Sequence, residues 1–264
     1  AVFVIPANVL LIKYFPEAAR HYDFYTGRVF FTGAALDKNM LGMALVALLG
    51  FVGWAFLENM SAPRSRNRTI HQGVCLLLIG LAGWVLSIAD SATAVACALT
   101  GAALHLMLMN AFARRHVVKI GVFGALAAVT IVATGLLDEI MELVAASLGR
   151  DPSLTGRDAI WRILLFEDIN PLLGAGSYTF WMPERAARLS EGYMAPINSA
   201  HNGFLDVYLD SGLIGAGLLI CVLLSGILRF ARALRIEDSR WSAQSALVFM
   251  IVCGVYASTE AVFN

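Results

Sequence analysis

Asn39-Met40-Leu41-Gly42-Met43-Ala44-Leu45-Val46-Ala47-Leu48-Leu49-Gly50-Phe51-Val52-Gly53-Trp54-Ala55-Phe56-Leu57 passes without one charged side chain. As an α-helix this stretch rises about 28 Å, close to the ~30 Å of hydrocarbon in a bilayer. In lipid every backbone polar group needs a partner within the chain, and a helix supplies it. Comparable runs occupy 69–89, 91–113, 120–137, 211–228 and 241–259, and 1–12 reads as the exit end of a truncated span. Small residues recur within them, as in Gly121, Gly124, Ala125, Ala127 and Ala128. They let helices approach where no water drives them together. The expected fold is an all-α integral membrane protein, a polytopic helix bundle with one long extracytoplasmic loop. Residues 1–264 read as a single membrane domain. The start at Ala1 inside an apolar stretch, with no basic leader, reads as a fragment lacking earlier N-terminal spans.

Composition agrees. Hydrophobic residues make up 59% of the chain and charged residues 14%, and the mean hydropathy is +0.72. A soluble domain carries roughly 25% charge. Cys75, Cys97, Cys221 and Cys253 all fall inside apolar runs and read as small buried hydrophobes. No Cys-x-x-Cys pair and no His cluster with metal-ligand spacing occurs, so neither metal nor cofactor is expected. No nucleic-acid partner is expected either; the partner implied by composition is the lipid bilayer.

The net charge of +0 hides an asymmetry that sets orientation. Arg64, Arg66 and Arg68 follow the first run, Arg114, Arg115 and Lys119 the third, and Arg229, Arg232, Arg235 and Arg240 the fifth. Basic loops stay cytoplasmic, and all three agree with the alternation of spans. Segments 13–38 and 138–210 then face outward. The second is too long for a connector and is the expected site of the chemistry. Within it Ile160, Trp161, Leu164 and Leu165 suit a helix lying on the membrane surface. Tyr178, Phe180, Trp181 and Tyr193 add aromatic anchors.

Leu154-Thr155-Gly156-Arg157-Asp158-Ala159-Ile160-Trp161 reads as a helix start capped by Thr155 or Asp158. Arg157 then stands where free N–H groups and the helix dipole already attract an anion, and its guanidinium matches phosphate oxygens. The plainer reading pairs it with Glu167, Asp168 or lipid headgroups. Arg162, on the same segment, is a further candidate for substrate binding. Pro171-Leu172-Leu173-Gly174-Ala175-Gly176 is a turn signal first and a phosphate cradle second. Ser199-Ala200-His201-Asn202-Gly203-Phe204-Leu205 precedes the span expected from Ser211, which puts His201 at the water–membrane boundary. Imidazole is suited to proton transfer near neutrality. Asn202 could orient it or donate to a developing charge, and Asp206 or Asp210 offers another means of orientation. An interfacial histidine without a chemical role fits the position equally well. Lys38 and Asn39, at the mouth of a span, suit an anion site or an ordinary headgroup anchor. Ser87, Ser91 and Thr93 read as a turn with helix caps. His71, His105 and His116 are assigned no role.

Taken in order, these stretches resemble the O-antigen ligase and polymerase superfamily of bacterial envelope polysaccharide enzymes. Gly156-Arg157…Trp161, Pro171…Gly174-x-Gly176 and His201-Asn202-Gly203-Phe204-Leu205 before Gly212-Leu213-Ile214-Gly215 carry the resemblance. Lys38-Asn39-x-Leu41-Gly42 and Ser87-x-x-x-Ser91-x-Thr93 look most like its exopolysaccharide polymerase branch. The resemblance implies a metal-independent, inverting glycosyltransferase in the bacterial inner membrane with its active face periplasmic. Its donor would be a polyprenyl-diphosphate-linked glycan, and its acceptor a glycan or lipid A-core. It further implies that Arg157 binds the diphosphate, that His201 assists the acceptor hydroxyl, and that a second Arg, for which Arg28 is the candidate, contributes. Asp158 departs from the family, where a small polar residue is more usual.

Rival readings remain open. An O-antigen ligase acting on lipid A-core or protein differs from a polymerase only in its acceptor. A transporter of an anion or lipid-linked oligosaccharide would need ionisable residues within the spans and broken helices. A non-catalytic membrane scaffold would tolerate loss of Arg157 and His201.

Overall fold

A computed structural model describes residues 1–22, 27, 29–61, 63–133, 157–191, 197–236 and 240–262. Of 128, 129, 131–133 and 157–159 it describes the backbone alone. Helices α1 (Val4–Tyr14) and α2 (Pro16–Ala19) precede a hairpin of β1 (Arg20–Tyr22) and β2 (Val29–Phe31), with Arg20 opposite Phe31. Then come α3 (Lys38–Met60), α4 (Arg66–Ala89), α5 (Ala92–Met109), α6 (Ala111–Ala133), α7 (Arg157–Leu165), α8 (Pro183–Leu189), α9 (Gly203–Ala233) and α10 (Arg240–Ala257). Among the described residues α3, α4, α5 and α9 are long and apolar enough to cross a membrane. The chain is a multi-pass membrane protein.

The caps explain where the helices start. Asp37 accepts from the Asn39 and Met40 N–H groups at 2.7 and 2.9 Å, and Ser65 accepts from Arg68 at 3.2 Å. The run expected over 91–113 is not continuous. α5 stops at Met109, and Asn110 turns to cap α6 by accepting from Phe112 at 2.8 Å. The Arg114 guanidinium donates to the freed Leu108 and Met109 carbonyls at 2.9 and 2.6 Å. Both ends of the break are thereby satisfied, and Arg114, Arg115 and Lys119 lie within α6, not in a loop. The run expected over 120–137 falls partly in α6, with 134–137 outside the described residues.

Contacts divide the chain into two units, 1–115 with 226–256, and 116–225 with 257–264. In the first, α3 packs on α4 and α5. A Cβ at Gly42 would lie 2.5 Å from Ala94 Cβ, so the glycine sets how closely the helices approach. Asn39 ties three elements together. Its side-chain oxygen accepts from Ser91 Oγ at 3.1 Å and its carbonyl from the Tyr256 hydroxyl at 2.8 Å. His105 is bound to buried Gln244, whose Nε2 donates to the His105 carbonyl at 3.1 Å.

The second unit has its own core of Leu164, Phe180, Leu189, Ala200 and Leu209. This corrects the expectation for α7 and the aromatics. Leu164 and Phe180 are buried, Ile160 and Trp161 pack against the core, and the face left exposed carries Arg162, Leu165 and Phe166. A core was available, and full burial of such a side chain is worth about 1.5–3 kcal/mol. Tyr178 remains exposed; Tyr193 lies outside the described residues.

α9 begins at Gly203, earlier than expected, and is broken at Gly212 (φ 63°, ψ −163°). The segment 171–176 clasps the break. Ala175 and Gly176 N–H groups donate to the Leu209 and Asp210 carbonyls at 2.9 and 2.8 Å, while Leu213 and Ile214 N–H groups donate to Pro171 and Leu172 at 2.9 and 3.2 Å. A Cβ at Gly174 would overlap the Asp210 carbonyl, and one at Gly212 the Leu172 carbonyl. The Leu172, Leu173 and Gly174 N–H groups all donate to Asn170. With every N–H from 172 to 176 engaged, this segment is a helix clasp and not a phosphate cradle.

Candidate active site

His201 sits in a turn with φ +48°, a conformation that a non-glycine residue adopts only when its surroundings hold it. Here they do. The Ala200 N–H donates to Asp206 Oδ1 at 3.0 Å, and the Ala200 carbonyl accepts from Trp161 Nε1 at 2.7 Å. Asp206, fully buried, also accepts from Trp181 Nε1 at 3.0 Å. On the other side the Gly203 N–H donates to the Glu260 carbonyl at 2.9 Å. Asn202 caps α9, its Oδ1 accepting from Phe204 and Leu205 at 3.1 and 3.2 Å. Its side-chain oxygen therefore holds the helix start and does not orient the imidazole.

The imidazole itself faces Glu260, with Nδ1 3.4 Å from Oε2, at the long end of hydrogen bonding. The glutamate side chain is 7% exposed and the histidine 39%. A buried carboxylate on Nδ1 and an accessible ring leave Nε2 for proton exchange with a bound hydroxyl. Of the two acids considered as partners of His201, Asp206 instead anchors the turn. Asp210 accepts from the Tyr178 and Phe180 N–H groups at 3.1 and 3.3 Å.

Arg157 is the first residue of α7, as expected, with its side chain outside the described atoms; Thr155 and Arg28 lie outside the described residues. Arg162 is exposed on α7. Lys38 and Asn39 belong to the other unit. Lys38 Nζ lies 3.9 Å from Asp90 Oδ2 and 5.0 Å over the Phe30 ring, and Asn39 is taken up in the tie to Ser91 and Tyr256. Glu260 was missed from sequence. Its one signal was an acid standing at the end of an apolar run.

A family model described as O-Antigen ligase matches residues 74–220. The "Exopolysaccharide production protein ExoQ" of Rhizobium meliloti (strain 1021) is 30% identical over 244 residues, which is 88% of this chain and 54% of that protein. The chain thus spans about half the length of this curated relative.

Proposed function

The chain belongs to the O-antigen ligase family, and from that premise we propose that it transfers a glycan from a polyprenyl diphosphate to a sugar hydroxyl. The observation that carries the reading is the braced turn presenting His201 against buried Glu260. The acceptor oxygen attacks the anomeric carbon as its proton passes to His201 Nε2. The bond from that carbon to the diphosphate oxygen breaks, and the diphosphate departs with the electron pair. Attack opposite the leaving group inverts the configuration. Arg157 neutralises the departing charge, with Arg28 and Arg162 as further cations, so no metal is required. General-base action of this kind contributes about 10²–10⁴-fold.

The donor's lipid tail stays in the bilayer, which suits a site on the loop 138–210 at the periplasmic rim of the inner membrane. The relative's name, an exopolysaccharide production protein, supports a polymerase joining two glycans over a ligase acting on lipid A-core. A transporter would draw on the broken helix α9. The groups freed at Gly212 are taken by 171–176, however, which leaves no line of open carbonyls for an ion. The test is turnover of a lipid-linked donor by the protein in proteoliposomes. His201→Ala and Arg157→Ala are each expected to abolish transfer while inserting normally, and wild-type turnover in both would overturn the reading.

A further inference from the structure

We infer that Arg185 is a further substrate-binding residue of this site, taking an anionic oxygen of the lipid-linked donor; the inference rests on the transferase reading above. Arg185 lies in α8, half-buried, with its guanidinium carbon 4.9 Å from the centre of the Phe180 ring. Its Nη1 is screened from solvent, and among the described residues none accepts a hydrogen bond from it. The other arginines nearby in sequence differ. Arg188 is bound to Glu167 at 2.6 Å, and Arg162 is exposed. A buried guanidinium N–H with no acceptor bears its full desolvation cost, and folded proteins leave few such groups without a purpose.

The group is also well prepared for a ligand. Phe180 is fully buried, so the ring beneath the guanidinium is fixed, and a planar fork of five donors suits phosphate or carboxylate oxygens two at a time. It shares the framework that holds His201. The Phe180 ring meets Trp181 edge-on at 5.0 Å, Trp181 Nε1 donates to Asp206, and Asp206 holds the Ala200 N–H beside His201. With no ion pair to break among the described residues, rotation of the terminal torsions brings the fork to an incoming oxygen. Two parts of the donor carry such oxygens, the carrier's diphosphate and any acidic group on the glycan.

The experiment is steady-state kinetics in proteoliposomes with polyprenyl-diphosphate-linked glycans, one neutral and one acidic. Arg185→Gln is expected to raise the donor KM by about 10- to 100-fold with little change in kcat, and Arg188→Gln to leave it unchanged. A defect seen with both donors assigns the oxygen to the diphosphate, and one confined to the acidic donor assigns it to the glycan. An unchanged KM, or a fall in kcat alone, overturns the inference. If Arg185→Gln inserts poorly, Arg185→Lys keeps the charge and the stem over Phe180; a severalfold rise in KM then supports the inference and a wild-type KM overturns it. His201→Ala in the same assay separates the two claims. Wild-type turnover there removes His201 from the proposed reaction whatever Arg185 does, whereas a dead His201→Ala beside a wild-type Arg185→Gln defeats the inference alone.

Discussion

A carboxylate beside an imidazole decides which ring nitrogen keeps its hydrogen, and a second effect is to stabilise the ring once it has taken a proton. Glu260 stands in that relation to His201. Glu260→Gln keeps the shape and the backbone carbonyl that accepts from Gly203, and replaces the carboxylate with an uncharged amide. It is expected to lower kcat by about 10²-fold while leaving the donor KM within about threefold; an unchanged kcat would show that the carboxylate is structural. His201 stood out as a candidate because it lies in a polar cluster at a span mouth within the motif that carries the family resemblance. Glu260 did not, because 59 residues separate it from its partner. The capping role of Asn202 was hidden for a different reason. Its Asn-Gly-Phe-Leu setting is a cap signal, but the expected span opened eight residues too late for the cap to be seen.

At the scale of elements, length and apolarity located α3, α4, α5 and α9, since lipid permits little else. The helices over 120–137 and 241–259 are not among the described ones that qualify. The interruptions were hidden. Gly212 stands among small residues of the kind that spans commonly contain, and nothing local reveals that 171–176 meets it. Amphipathic α7 was legible as a helix, but which surface it covers depended on a core contributed by distant residues. The clasp makes a specific prediction. Gly174→Ala and Gly212→Ala place a Cβ against backbone at positive φ, and each is expected to cost at least about 1–3 kcal/mol. Gly217→Ala, where a Cβ meets nothing within 4 Å, serves as the control. Thermal unfolding in detergent reads the difference, and equal melting temperatures for all three would refute the clasp.

At the scale of the whole molecule, charge sets the expected orientation, and contacts inside the first unit agree with the alternation of spans it assumes. Trp241 Nε1 donates to Ser61 Oγ at 2.6 Å, joining the start of α10 to the end of α3, while Tyr256 joins the end of α10 to the start of α3. The two helices run antiparallel, as alternating spans require. In a variant lacking Cys75, Cys97, Cys221 and Cys253, a cysteine at Arg188 is expected to react with an impermeant maleimide outside the inner membrane. A cysteine at Arg66 should react only after permeabilisation. The reverse pattern would put the proposed site in the cytosol.

The clasp at Gly212 bears on bilayer thickness. Without it, α9 would be a single rod of about 46 Å, far longer than the hydrocarbon slab; from Leu213 to Ala233 the remaining rod is about 32 Å, a near match. The inserted loop thus limits the length of unbroken helix offered to the hydrocarbon. A thicker or thinner membrane is expected to strain the rod that begins at Leu213, while the imidazole stands eleven residues before Gly212.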